Sequence, residues 1–109
     1  MNSGVDITKL DAGTQLVVET AFCLYTIEIV DPEPSEIMIV GGSTFINPSK
    51  AYLQASCDNE QTKNKWIQKN MAMIIRYKDE KSKKYRTVET DTVEQIKIIG
   101  PDNKWSCNI

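Results

Sequence analysis

Apolar and polar residues alternate with a period of two along most of this 109-residue chain, the spacing of strands that bury one face and wet the other. Residues 15–20 put Leu16 and Val18 on one side and Val17 and Glu19 on the other. Residues 22–30 put Cys23, Tyr25, Ile27 and Ile29 on one side; Leu24, Thr26, Glu28 and Val30 share the other, which the Glu and Thr mark as wetter. Residues 36–40 (EIMIV) are nearly all apolar, which predicts burial on both faces or a loop laid over one of them. Met71, Met73, Ile75 and Tyr77 share one face of a strand over 71–78. Two more strands are predicted over 84–89 and 93–99, the last alternating around Ile96 and Ile98.

Residues 48–56 admit two readings. Asn47 as N-cap with Pro48 behind it starts a short helix. Alternatively Ala51, Leu53 and Ala55 alternate with Tyr52 and Gln54 as a strand. The strand is favoured, because two helical turns without an apolar stripe gain little.

The breaks between these runs are chemically specific. Gly13 sits in a turn that launches the first strand. Asp31-Pro32-Glu33-Pro34-Ser35 ends the second, since prolines cannot sit inside a ladder. Gly41-Gly42 closes the third, and Gly100-Pro101 stops the last. Residues 1–9 read as a flexible lead-in and 57–65 (CDNEQTKNK) as a polar loop that Trp66 ends by anchoring to the core. Residues 79–83 read as a hairpin loop, and 100–109 as a C-terminal tail whose Trp105 docks on the body. Six or seven short strands without a helical period predict an all-β fold: a small, closed or nearly closed antiparallel barrel, meander-like, spanning 1–109 as one domain. Closure also hides the aggregation-prone run at 37–40.

Composition narrows the chemistry. The chain has no His, which removes the commonest general base, metal ligand and neutral-pH switch and rules out Ser–His and Cys–His pairs within one chain. Its three cysteines, Cys23, Cys57 and Cys107, are odd in number and show no metal-ligand spacing; they read as cytosolic thiols, with Cys23 a core residue inside the second strand. No apolar run reaches the roughly 20 residues of a membrane span, and the N-terminus shows no basic-then-apolar leader. Net charge is −2 but uneven: residues 1–49 carry −6 and residues 50–109 carry +4. The expectation is that the two halves intermix on a barrel surface, so that most of this asymmetry cancels in space.

Four motifs bear on function. Gly41-Gly42-Ser43-Thr44 superficially suggests a phosphate loop, but no Lys precedes the Ser-Thr and no helix follows; it reads as a bulge or tight turn. Glu28, Asp31, Glu33 and Glu36 cluster around the proline turn without calcium-loop spacing and read as exposed carboxylates. Trp66 and Trp105 suggest either a pocket in a barrel mouth or core anchors, and the second is favoured. The strongest charged candidate is Arg76, Tyr77, Lys78, Lys81, Lys83, Lys84, Tyr85 and Arg86, where six bases with two tyrosines stand against Asp79 and Glu80. A hairpin there sets bases along a ribbon and offers tyrosines for base stacking. Lysines on an exposed hairpin also simply protect a strand edge, and the acidic chain as a whole lacks a basic footprint.

Taken in order, these residues resemble a family of small uncharacterised bacterial β-barrel proteins. The pattern comprises Gly13, Val18 and Thr20; Leu24-Tyr25; Asp31-Pro32; Gly41-Gly42; Phe45 and Pro48; Trp66-Ile67; and Thr90 with Val93. The chain departs from it around the Trp, where CDNEQTKNK and residues 68–71 replace glycines. The resemblance implies a barrel of unknown role and carries no catalytic residue. The PilZ-type cyclic-dinucleotide barrels are set aside, because Arg76 and Arg86 are not in an Arg-x-x-x-Arg arrangement. The functional expectation is a non-enzymatic cytoplasmic binding or accessory module, without cofactor, metal or membrane association, whose partner is a protein or small molecule. The alternative is a weak single-stranded nucleic-acid binder acting through the 76–86 hairpin.

Overall fold

The computed structural model describes residues 4–100. The tail beyond, with Trp105 and Cys107, lies outside the described residues, as do residues 1–3. The described residues form nine strands: β1 (Gly4–Asp6), β2 (Gln15–Thr20), β3 (Leu24–Asp31), β4 (Glu36–Gly41), β5 (Phe45–Cys57), β6 (Thr62–Asn64), β7 (Trp66–Gln68), β8 (Ala72–Lys78) and β9 (Tyr85–Ile99). Six of them close an antiparallel barrel in the cyclic order β2-β3-β4-β5-β8-β9, with β9 returning to β2. β6 adds to β5 outside that ring, and β1 with β7 makes a separate two-stranded ribbon.

The alternation read from the sequence is the inside–outside alternation of the wall. Leu16, Val18, Ile27, Ile29, Ile37, Ile39, Ala51, Leu53, Met73 and Ile75 are at most 1 % exposed and meet in one core. Burying each large aliphatic side chain contributes roughly 1.5–3 kcal/mol. β4 differs from expectation. Only Ile37 and Ile39 are buried, whereas Met38 and Val40 are half-buried on the outer face. Its backbone is paired on both sides, with β3 and β5, so barrel closure alone protects this run. Cys23 stands in the turn before β3 rather than within it, half-buried against the core.

Residues 48–56 are strand, within a β5 much longer than expected. Ile39 pairs Ser49, yet Gly41 pairs Phe45, so β5 carries extra residues here. Pro48 lies in that bulge, where no ladder N–H is required. A second irregularity lies at Leu53/Ala55; β5 pairs β8 on both sides of it, while β4 pairs only up to Tyr52 and β6 only from Ala55 on. The predicted strands over 84–89 and 93–99 are likewise one strand, β9. Its register shifts against β8 between Ala72 and Ile74 and against β2 between Glu19 and Thr20. These bulges let a continuous strand turn from one neighbour to the other. Thr90, at the bend, is buried and its Oγ1 accepts the Met73 N–H at 3.0 Å.

Residues read as connections pack against the core beside the wall. From Gly4 on, the lead-in is built into the fold: β1 pairs β7, a 3-10 turn over Ile7–Lys9 follows, and Ile7 is fully buried. The loop over 57–65 contains β6, and the core anchor beyond it is Ile67 at 0 % exposure. Trp66 is half-buried beneath the Lys63 ammonium, 4.6 Å from its ring centre. Gly41 and Gly42 are a structural bend. Both have positive φ, and a Cβ at Gly41 would run into the Leu24 carbonyl.

The expected intermixing of charge is only partial: Lys50 of β5 pairs with Glu36 of β4, and β9 carries exposed Glu89, Asp91 and Glu94. Three strands of the first half, β2, β3 and β4, are consecutive staves, and β5, β8 and β9 form the opposite wall. A meander sets sequence neighbours side by side, so the asymmetry along the chain becomes an asymmetry in space.

Candidate functional site

Polar and aromatic side chains gather outside the barrel, on the wall of β5, β8 and β9. Because inward positions are taken by Ala51, Leu53, Ile75 and Tyr77, the residues between them face outward. Register aligns Tyr52 with Arg76 and Arg76 with Thr87, and sets Lys78 opposite Tyr85. Directly paired residues share a face, so Lys50, Tyr52, Arg76, Lys78 and Tyr85 form one outer patch.

A groove of about 630 Å³ runs between the bulged start of β5 and the β8–β9 hairpin. Thr44, Phe45, Pro48, Ser49, Lys50 and Tyr52 line one side; Tyr77, Lys78, Asp79, Glu80, Lys81 and Tyr85 line the other. Phe45 and Tyr77 form its floor, edge to face with ring centres 5.3 Å apart. A second groove of about 690 Å³ continues along β5 towards β6, where Gln54, Asn64, Lys65 and Arg76 contribute. Tyr52 belongs to both.

The hairpin is held by Asp79. Its backbone N–H donates to the Lys84 carbonyl and its carbonyl accepts from Lys83, each at 2.8 Å. Its carboxylate accepts the Lys81 N–H at 3.0 Å and the Arg86 Nε–H at 2.8 Å. These donors hold its pKa below the usual carboxylate range, the Lys81 amide contributing most. On the opposite bank Lys50 pairs with Glu36 at 3.4 Å, and that hydrogen bond raises the lysine's pKa. Lys78 and Lys81 make no ion pair among the described residues. The Arg76 guanidinium lies over the Tyr85 ring, 4.1 Å from its centre, and Tyr85 remains 51 % exposed.

The eight hairpin residues singled out in the sequence therefore separate. Arg76, Lys78, Lys81 and Tyr85 converge on the grooves. Tyr77 lines the first groove but points into the wall against Phe45, so it offers an edge rather than an open face. Lys83 and Lys84 are exposed and line neither groove. Arg86 is committed to Asp79. Sequence reasoning missed Lys50 and Tyr52, which stand some 25 residues away in the chain yet face Arg76 and Tyr85. The one available signal was the alternation over 51–55, which placed Tyr52 opposite Ala51 and Leu53.

The other candidates contribute structure. Glu36 serves Lys50, and the Glu33 carbonyl accepts the Lys65 ammonium at 2.8 Å. Among the described residues no group of His, Cys, Asp or Glu is arranged to hold a metal ion. Among them, too, no helix is long and apolar enough to cross a membrane. Burial pushes Tyr25 up to about 12, with Cys23 and Asp91 adding to the shift, and its ring packs on the Gly41-Gly42 bend. No protein-family model matches this chain, and no curated protein or solved structure matches it either.

Proposed function

We propose that the protein is a non-enzymatic cytoplasmic binding or accessory module whose ligand surface is the groove between the start of β5 and the β8–β9 hairpin. The observation that carries this reading is the convergence of two tyrosines, half-buried Tyr52 and exposed Tyr85, with the unpaired ammonium groups of Lys78 and Lys81 around one concavity. Such sites combine a few oriented polar groups with aromatic surface. The non-enzymatic reading is supported by the chemistry of the lining. Of its two carboxylates, Asp79 is tied to two donors and favoured in the ionised form, the opposite of a poised general base.

The test is amide shift mapping of the full chain with two small probes, thymidine monophosphate and tripolyphosphate. Shifts confined to residues 44–52 and 76–85 are expected. Shifts scattered over the barrel, or centred on β2 and β3, overturn the assignment.

A further inference from the structure

The two grooves share Tyr52, and the Arg76–Tyr85 stack stands beside it, so together they make one track across β5, β8 and β9. The charge on that track is set by the fold. Residues 11–42, which build β2, β3 and β4, contain six acids and no base, whereas residues 50–100 contain eleven bases and seven acids. A polyanion is therefore attracted to one wall and repelled by the other. We propose that the track binds single-stranded nucleic acid, with bases stacked on Tyr85 and Tyr52 and phosphates met by Lys78 and Lys81, joined by Lys50 where a phosphate displaces Glu36. This inference rests on the groove being the ligand surface.

The aromatic spacing selects a single strand. Tyr52 and Tyr85 are two strands apart and offset by two residues, roughly 12 Å by strand spacing and rise. A duplex keeps its bases paired and stacked on each other and presents no open ring to either platform. An extended strand offers each tyrosine a free base face, and such stacking tolerates any base. Arg76, with its guanidinium carbon 4.1 Å from the centre of the Tyr85 ring, adds a cation beside that platform. Asp79 opposes the phosphates least, because Arg86 and the Lys81 amide already satisfy it; Glu80 is the remaining counter-charge in the lining. Three or four phosphate contacts make the binding weak and strongly salt-dependent.

The experiment is fluorescence anisotropy of the full chain with a labelled thymidylate dodecamer, the corresponding duplex with adenylate, and a polyglutamate peptide. The single strand is expected to bind at least about ten times more tightly than the other two, the preference that stacking supplies. Its affinity should fall roughly 20- to 50-fold between about 50 and 200 mM salt, as three or four contacts dictate. Tyr85→Ala should weaken it about tenfold, one stacked base, and Tyr85→Phe should retain it. Joint Lys78→Gln and Lys81→Gln should lower the logarithmic salt slope by about 1.4, whereas joint Glu19→Gln and Glu28→Gln should not weaken binding. Equal binding of duplex or polyglutamate, a salt-independent affinity, an inert Tyr85→Ala variant, or self-association of the chain through the same lysines overturns the proposal. If thymidine monophosphate still shifts residues 44–52 and 76–85 while the dodecamer gains nothing over the duplex, the groove reading survives and the single-strand proposal fails. If neither probe perturbs these residues, both fail.

Discussion

The two walls of this barrel share a backbone plan and an interior but not an exterior. On β2, β3 and β4 the inward residues are Leu16, Val18, Ile27, Ile29, Ile37 and Ile39; on β5 and β8 they are Ala51, Leu53, Met73 and Ile75. Either set fills the same core. Outside, the first wall carries Glu19, Glu28 and Glu36; the second carries Lys50, Tyr52, Arg76, Lys78 and Tyr85 towards the hairpin and Glu89, Asp91 and Glu94 further along β9. The inner face is constrained by close packing, where a lost methylene is felt. The outer face is free to differ, so the difference between the walls is where function should be sought.

The largest expected effect is one that does not distinguish the walls. Ile27→Ala and Ile75→Ala should each cost about 2–5 kcal/mol in urea unfolding, the range for emptying a packed site. A near-neutral result for either would break the claim of one shared core. Ser35 comes next. It is 2 % exposed with φ 58°, and its Oγ donates to the Leu53 carbonyl at 2.6 Å while its own carbonyl accepts the Leu53 N–H at 3.0 Å. It thus joins the acidic wall's turn to β5 beside Tyr52. Ser35→Ala should cost about 1–3 kcal/mol through an unsatisfied buried carbonyl. Ser35→Gly should also be destabilised; a stabilised glycine variant would show that backbone strain outweighs the hydrogen bond.

The last tyrosine step of an alkaline titration probes the acidic wall. With Tyr25 raised from 10.0 to about 12, the native state holds its proton longer than the unfolded chain. Its contribution is therefore fully present below pH 10 and lost as pH rises towards 12. A late phenolate step in near-ultraviolet absorbance, absent in Tyr25→Phe, checks this assignment. The smallest effect is local to the basic wall. Asp79 has a lowered pKa, so its tie to Lys81 and Arg86 is present above about pH 3.9, the unfolded value, and is lost as pH falls through the folded one. Asp79→Asn should speed amide exchange at Lys81 and Lys83 and leave the global unfolding midpoint nearly unchanged. A large global loss would mean that the hairpin belongs to the core.

Much of the fold was legible because period-two alternation is a local property. Leu16, Ile27, Ile37, Leu53 and Ile75 face inward as their spacing requires, and Pro32, Pro34 and Gly41-Gly42 interrupt strands for backbone reasons that any chain would obey. Half of the candidate site was legible for the same reason, since residues 76–86 form one hairpin. Its other half was not. Nothing in the local sequence joins Tyr52 to Arg76, which meet only because β5 bends at two bulges and pairs a strand that follows a separate ribbon.

The residue pattern alone sets where most staves of the barrel run, which side of each is apolar, and that no histidine-based chemistry is available. The tertiary structure decided that residues 85–99 are one bent strand, that Ile7 plugs the core, that Arg86 and Asp79 consume each other, and that the acidic and basic halves become opposite walls. The reason is physical. Alternation depends on each residue's own side chain, whereas register, closure and charge placement depend on which distant strand lies alongside.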